Sequence, residues 1–121
     1  MRDARAALHV ALTAVMMWLA VVLAWSGGIF GSSNSYAIMH RIGPEHGWAV
    51  AFWLVASVGV SGLVTAGPLL RLVSVLVLAT AHGVVALSFV LSNPASTGTG
   101  TYAVLAMLGY YLAWRRADDV L

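Results

Sequence analysis

The chain has no cysteine and no lysine, and charged side chains make up only 8% of its 121 residues. Without cysteine there is no disulfide framework, no thiolate metal ligand and no cysteine nucleophile. A soluble domain carries about a quarter charged residues, so a chain this poor in charge has no means of covering a water-facing surface. Hydrophobic residues reach 61%, and a bilayer is the solvent that accepts them. The basic excess is small, all arginine, and placed at the ends of apolar runs, which is not a nucleic-acid footprint.

Proline is scarce as well. Pro44, Pro68 and Pro94 each follow a turn-type residue (Gly43, Gly67, Asn93), and each precedes a long apolar run. Proline suits the first turn of a helix, where its missing N–H would be unpaired in any case. The three prolines therefore predict the starts of helices two, three and four. A spanning helix needs about 20 mostly apolar residues. Four stretches fit, at about 6–25, 44–66, 68–91 and 99–114. The fourth is densely apolar only over 102–114 and reaches full length by recruiting the small, uncharged residues 95–101. The fold expectation is an all-α integral membrane four-helix bundle, one membrane domain over 1–121 with no separate soluble catalytic domain.

Arg2, Arg5, Arg71, Arg115 and Arg116 fall on one side of a four-span topology, and Arg41 alone on the other. The positive-inside rule then makes both termini and the 66–71 connection cytoplasmic. Trp25 and Trp48 mark the outer ends of helices one and two, and Trp114 the inner end of helix four, where amphipathic rings suit the headgroup level. The basic start and apolar run also have the outline of a signal peptide. The run is too long for an h-region and 27–35 lacks a clean cleavage pattern, so a retained first helix is expected.

In the outer loop 28–43, Ser33 or Ser35 can cap a short helix on which Tyr36, Met39 and Ile42 form one apolar stripe. His40 and Arg41 then face elsewhere, which predicts a helix lying on the membrane surface. Glu45 complements the dipole of helix two from its first turn. No internal repeat supports an inverted-repeat transporter.

Close backbone approach drives helix packing in lipid, so small residues four apart mark candidate contacts. These are Ser57 and Ser61 in helix two, Ala79 and Gly83 in helix three, and Gly109 and Ala113 in helix four. Ordinary packing within the bundle is the expectation, with oligomerisation as the alternative.

His82 is the ionisable residue deepest in a span, and intramembrane ionisable groups are candidate functional sites. The simpler expectation is a neutral imidazole bonded to Thr13, Thr80, Ser57 or a carbonyl of a neighbouring helix. Apart from Glu45 at the rim of helix two, no Asp or Glu lies in a span, which argues against a carboxylate-driven exchanger and a small multidrug exporter. Haem between two histidines is disfavoured, because His9 and His82 on parallel helices differ in depth by roughly 16 Å at about 1.5 Å per residue. His40, Glu45 and His46 have no spacing that enforces convergence on a metal. With no catalytic set, no cofactor and no metal are expected, and the chain reads as a non-enzyme.

Three short stretches carry a resemblance: Ser33, Asn34, Ser35 and Tyr36 leading into Met39; Ile42, Gly43, Pro44 and Glu45 before Trp48; and Asn93, Pro94, Ala95, Ser96, Thr97 and Gly98 before Tyr102. They resemble small membrane proteins of tailed phages and prophages, some of them called holin-like, over about residues 25–114. The resemblance implies a multi-pass protein of the bacterial cytoplasmic membrane and transfers no catalytic or ligand residue. Holins share the outline of small size, several spans and a charged C-terminal tail, here residues 115–119. The functional expectation is a protein that self-associates in the host membrane, holin-like or envelope-modifying. The alternative is a structural or anchoring subunit of a virion or larger membrane complex. The partners expected are the lipid bilayer, further copies of the chain and, in the alternative, another envelope or virion protein. Nucleic acid is not among them.

Overall fold

In an apolar setting the backbone has no water to bond, and helices satisfy its N–H and C=O groups internally. The computed structural model describes residues 2–25, 34–65 and 67–120, and these are mostly helical with no strand among them. Four long helices are present: α1 (Arg2–Trp25), α3 (Glu45–Val64), α4 (Pro68–Ser92) and α5 (Thr97–Val120). A 3-10 turn (Asn34–Tyr36) and the short helix α2 (Ala37–Ile42) lie between α1 and α3.

Among the described residues three helices are long and apolar enough to cross a membrane: α1 over Ala4–Trp25, α3 and α4. The stretch expected as a fourth span lies in α5, a helix of 24 residues with polar ends that is not among the three. Threonine and glycine fill its first turns, and Arg115, Arg116, Asp118 and Asp119 its last.

Only one proline opens a helix directly. Pro68 is the first residue of α4, whereas Pro44 is the N-cap of α3 with extended backbone angles (φ −71°, ψ 159°). Pro94 stands in the turn before α5, where the Ser96 N–H donates to the Asn93 carbonyl at 3.0 Å. That bond makes Pro94 the second residue of a β-turn, a position its fixed φ favours, and the helix starts later, at Thr97.

The long helices form a closed ring. α4 packs most extensively on α5 and α1 on α3; α3 meets α4, α5 meets α1, and α1 touches α4 across the middle. Leu12, Met16, Leu19 and Leu23 recur at helical spacing and build the α1 side of the core. Val75, Leu78, Val85 and Phe89 of α4, with Phe52 and Leu112, complete it. The outward faces are also apolar: Trp18, Leu54, Leu87, Met107 and Trp114 are all exposed.

Along α3 the core-facing row is small, with Ala49, Ala56, Gly59 and Gly62 buried. A Cβ on Gly59 would lie 2.6 Å from the Thr13 hydroxyl and 3.2 Å from Leu78 Cδ1. A Cβ on Gly62 would overlap the Ser74 side chain. Both glycines therefore set how closely α3 approaches α1 and α4.

α2 is held by its neighbours rather than by a cap of its own. The N-cap of α2 is Tyr36, which makes no side-chain capping bond, and Ser33, one of the two expected caps, lies outside the described residues. The oxygen comes instead from α4, where Ser92 Oγ accepts the Ile38 N–H at 2.9 Å. At the other end Trp48 Nε1 donates to the Met39 carbonyl at 2.7 Å. Met39 is buried and Tyr36 half-buried, but Ile42, the third member of the expected stripe, is exposed together with His40 and Arg41. Ser92→Ala should release the α2 N-terminus at a cost of about 0.5–1.5 kcal/mol, the net value of one hydrogen bond. Hydrogen exchange checks this: protection should fall across α2 and hold in the four long helices.

Candidate functional site

His82 lies near the middle of α4 and is fully buried. Its Nδ1 is 2.7 Å from the Leu78 carbonyl oxygen, one turn back on the same helix. A carbonyl only accepts, so Nδ1 carries the hydrogen and the neutral ring presents a lone pair at Nε2. That lone pair has no partner among the described residues. The ring lies 6.0 Å from that of Tyr102, which meets Phe89 edge-on at 5.6 Å. Phe89 in turn meets Tyr36 edge-on at 5.1 Å. An aromatic row thus runs from the α4–α5 core to the 3-10 turn. Burial pushes the Tyr36 phenol above its ordinary range, which keeps this end of the row uncharged.

The partners expected for His82 are engaged elsewhere. Thr13 donates to the His9 carbonyl at 2.9 Å and Ser57 to the Trp53 carbonyl at 2.9 Å. Thr80 shares a 3.0 Å bond with the Tyr110 hydroxyl. Thr13 and Ser57 reach back to the carbonyl four residues earlier on their own helices, a local bond always within reach of such side chains. His82 does the same with its Nδ1. It therefore holds no neighbouring helix through a hydrogen bond.

The six small residues separate into two groups. Ala79 and Gly109 face each other: a Cβ on Gly109 would lie 2.8 Å from the Ala79 Cβ and 3.1 Å from its Cα. Gly83 is half-buried, 3.8 Å from Ala106 by the same measure, and Ala113 is buried. Ser57 and Ser61 instead lie on the exposed face of α3, so a helix packed on them would belong to another molecule. Their hydroxyls donate to the Trp53 and Ser57 carbonyls, each at 2.9 Å.

Two features are not apparent from the sequence reading. His9, placed near a helix end, is buried and bonds through Nε2 to the Gly59 carbonyl at 3.0 Å, tying α1 to α3. The signal was the pair Gly59 and Gly62, three apart on one face. The second is a cleft of about 590 Å³ whose walls come from all four long helices, with Arg5, His9, Arg71, Arg116 and Asp119 among its lining. The shared side of these arginines was legible; their convergence on one cleft was not.

Among the described residues no three His, Asp or Glu side chains come together as metal ligands would. The buried His82 lone pair stands with one aromatic neighbour and no acid, base or nucleophile bonded to it, an arrangement that can accept one hydrogen bond. No protein-family model matches the chain, and no curated protein and no solved structure shows significant similarity to it.

Proposed function

We propose that the chain is a non-enzymatic integral membrane protein of the bacterial cytoplasmic membrane. It crosses four times with both termini on the cytoplasmic side and α2 at the outer surface. It acts by self-association, as a phage-type holin-like or envelope-modifying protein.

The exposed face of α3 carries this reading. Ser57 and Ser61 form a shallow step beside Trp53, Leu54 and Val60, all of them exposed. Small residues flanked by bulky apolar ones favour close helix approach in lipid, and the bundle itself leaves this step uncovered. Four crossings are supported by α5, whose uncharged residues 97–114 extend about 27 Å at 1.5 Å per residue. That is close to a hydrocarbon thickness of about 30 Å, and α5 packs extensively on the apolar α4. The position of α2 is supported by its buried Met39 beside exposed His40 and Arg41.

The lack of native cysteine makes single-cysteine reporters clean. Ser57→Cys and Ser61→Cys in native membranes should give oxidative dimers, and Leu87→Cys on the exposed face of α4 should not. Equal yields at all three positions, or none at 57 and 61, would remove the α3 face as the association surface. Induced expression then separates the roles: abrupt depolarisation marks a holin-like protein, and harmless monomeric accumulation marks an anchoring subunit. Reporter fusions at Ser33 and at the C-terminus test the topology.

A further inference from the structure

The cleft lies where α1 and α4 begin and α3 and α5 end, so its walls meet at one end of the bundle. Among the described residues three guanidinium groups line it, from Arg5, Arg71 and Arg116, against one lining carboxylate, Asp119. Arg5 pairs with Asp119 at 3.4 Å. Arg71 uses its Nε to bond the Thr65 carbonyl at 3.0 Å. The Nε of Arg116 is buried with no partner among the described residues. Among the described lining residues, three positive groups and one negative leave an excess of two.

Like charges gathered at a partly buried site repel unless an anion balances them. The repulsion is visible at Arg116, whose pKa is lowered by burial first and then by Arg71 and Arg5, with Asp119 pulling the other way. Guanidinium forks match phosphate oxygens with paired N–H bonds, better than a point charge would. The rest of the cleft is suited to an organic group: Ala6, Gly62, Leu63 and Pro68 line it beside the arginines.

We propose that this cleft binds a phosphate ester, its phosphate between Arg71 and Arg116 and its organic part against Leu63 and Pro68. Two sources share that chemistry. One is the headgroup of an anionic phospholipid, since basic pockets between membrane helices at this level receive such groups. The other is a soluble phosphate ester. The lipid source rests on the membrane reading proposed above; the soluble source does not.

The test uses the full chain in non-ionic detergent, with native mass spectrometry and thermal unfolding as readouts. The probes are phosphatidylglycerol, phosphatidylcholine, glycerol 3-phosphate and oleate. Phosphatidylglycerol or glycerol 3-phosphate should bind at one per chain and raise the melting temperature. Retention of the lipid alone assigns the source to the membrane, and binding of glycerol 3-phosphate assigns it to the soluble pool. The Arg71→Gln/Arg116→Gln double variant should bind at least about tenfold more weakly, as expected for losing charge-assisted bonds. Its unliganded melting temperature should change little, because relief of repulsion offsets the lost Arg71 bond to the Thr65 carbonyl, whereas a purely structural role for the arginines predicts a marked fall. Oleate or phosphatidylcholine held as firmly as phosphatidylglycerol, with glycerol 3-phosphate not bound, would overturn the proposal, as would undiminished binding by the variant. Should the variant not fold, the selectivity of the wild-type chain decides by itself. A chain that binds glycerol 3-phosphate yet fractionates away from membranes keeps the cleft and removes the bilayer reading.

Discussion

Gly109→Val is expected to force α4 and α5 apart and to cost stability near the upper end of the roughly 1–3 kcal/mol typical of overpacking. A β-carbon at this position meets Ala79 at 2.8 Å and the Ala79 Cα, which is backbone, at 3.1 Å. A side chain can rotate away from such an overlap; a helix backbone must move as a body. The α4–α5 contact is the most extensive in the bundle, so a shift there is felt along both helices. The smaller change Gly109→Ala sets two effects against each other. Alanine favours the helix over glycine by about 1 kcal/mol, whereas the contact with Ala79 opposes it. Adding Ala79→Gly to Gly109→Ala should recover stability, because the pair then carries the same single methyl from the other side. Reversible unfolding in mixed detergent measures all three variants. A Gly109→Val chain as stable as wild type would show that the two helices do not approach this closely.

His82 should respond to charge far more than to loss of its hydrogen bond. His82→Leu is expected to stay within about 1 kcal/mol of wild type, since interhelical polar contacts in membranes average only about 0.6 kcal/mol and His82 bonds no neighbouring helix. The Leu78 carbonyl lies inside the continuous helix α4, so losing the imidazole leaves it within the helical ladder. The substitution also removes an unpaired buried nitrogen. His82→Lys is the opposite case. It places an ammonium near the centre of a span, where insertion costs about 2.5–3.5 kcal/mol. Membrane-inserted fraction and detergent unfolding should therefore separate the two variants sharply. A leucine variant that assembles normally yet loses every cellular phenotype would make His82 a functional group. A lysine variant of normal stability would show that the site is open to water.

Helix existence could be read directly from the sequence because apolar runs of this length have few alternatives, and α1, α3 and α4 lie close to the expected stretches. Helix starts were less legible. Proline limits where a helix can continue, but a turn can hold it as well as a first helical residue can, and Pro94 takes the turn. The close approach at Gly109 was suggested by small-residue spacing, while Ser57 and Ser61 have the same spacing and face outward. Spacing identifies a face and says nothing of which neighbour covers it. For the same reason the bonding of His82 was not legible: the competing carbonyl was on its own helix. The cleft required residues from all four long helices to meet, its arginines coming from three of them, which no local pattern in the chain encodes.

The clamp on α2 also constrains the order of assembly. Ile38 finds its acceptor 54 residues later, on Ser92. During synthesis the α2 segment emerges long before that serine exists. Until α4 has been made in full, it can be held through the Trp48 bond to the Met39 carbonyl but not by Ser92. Docking of α2 thus reports completion of the third long helix, and a chain stalled or truncated before Ser92 would carry Met39 uncovered on that side. Such a species offers a hydrophobic surface at Met39 that the finished protein hides.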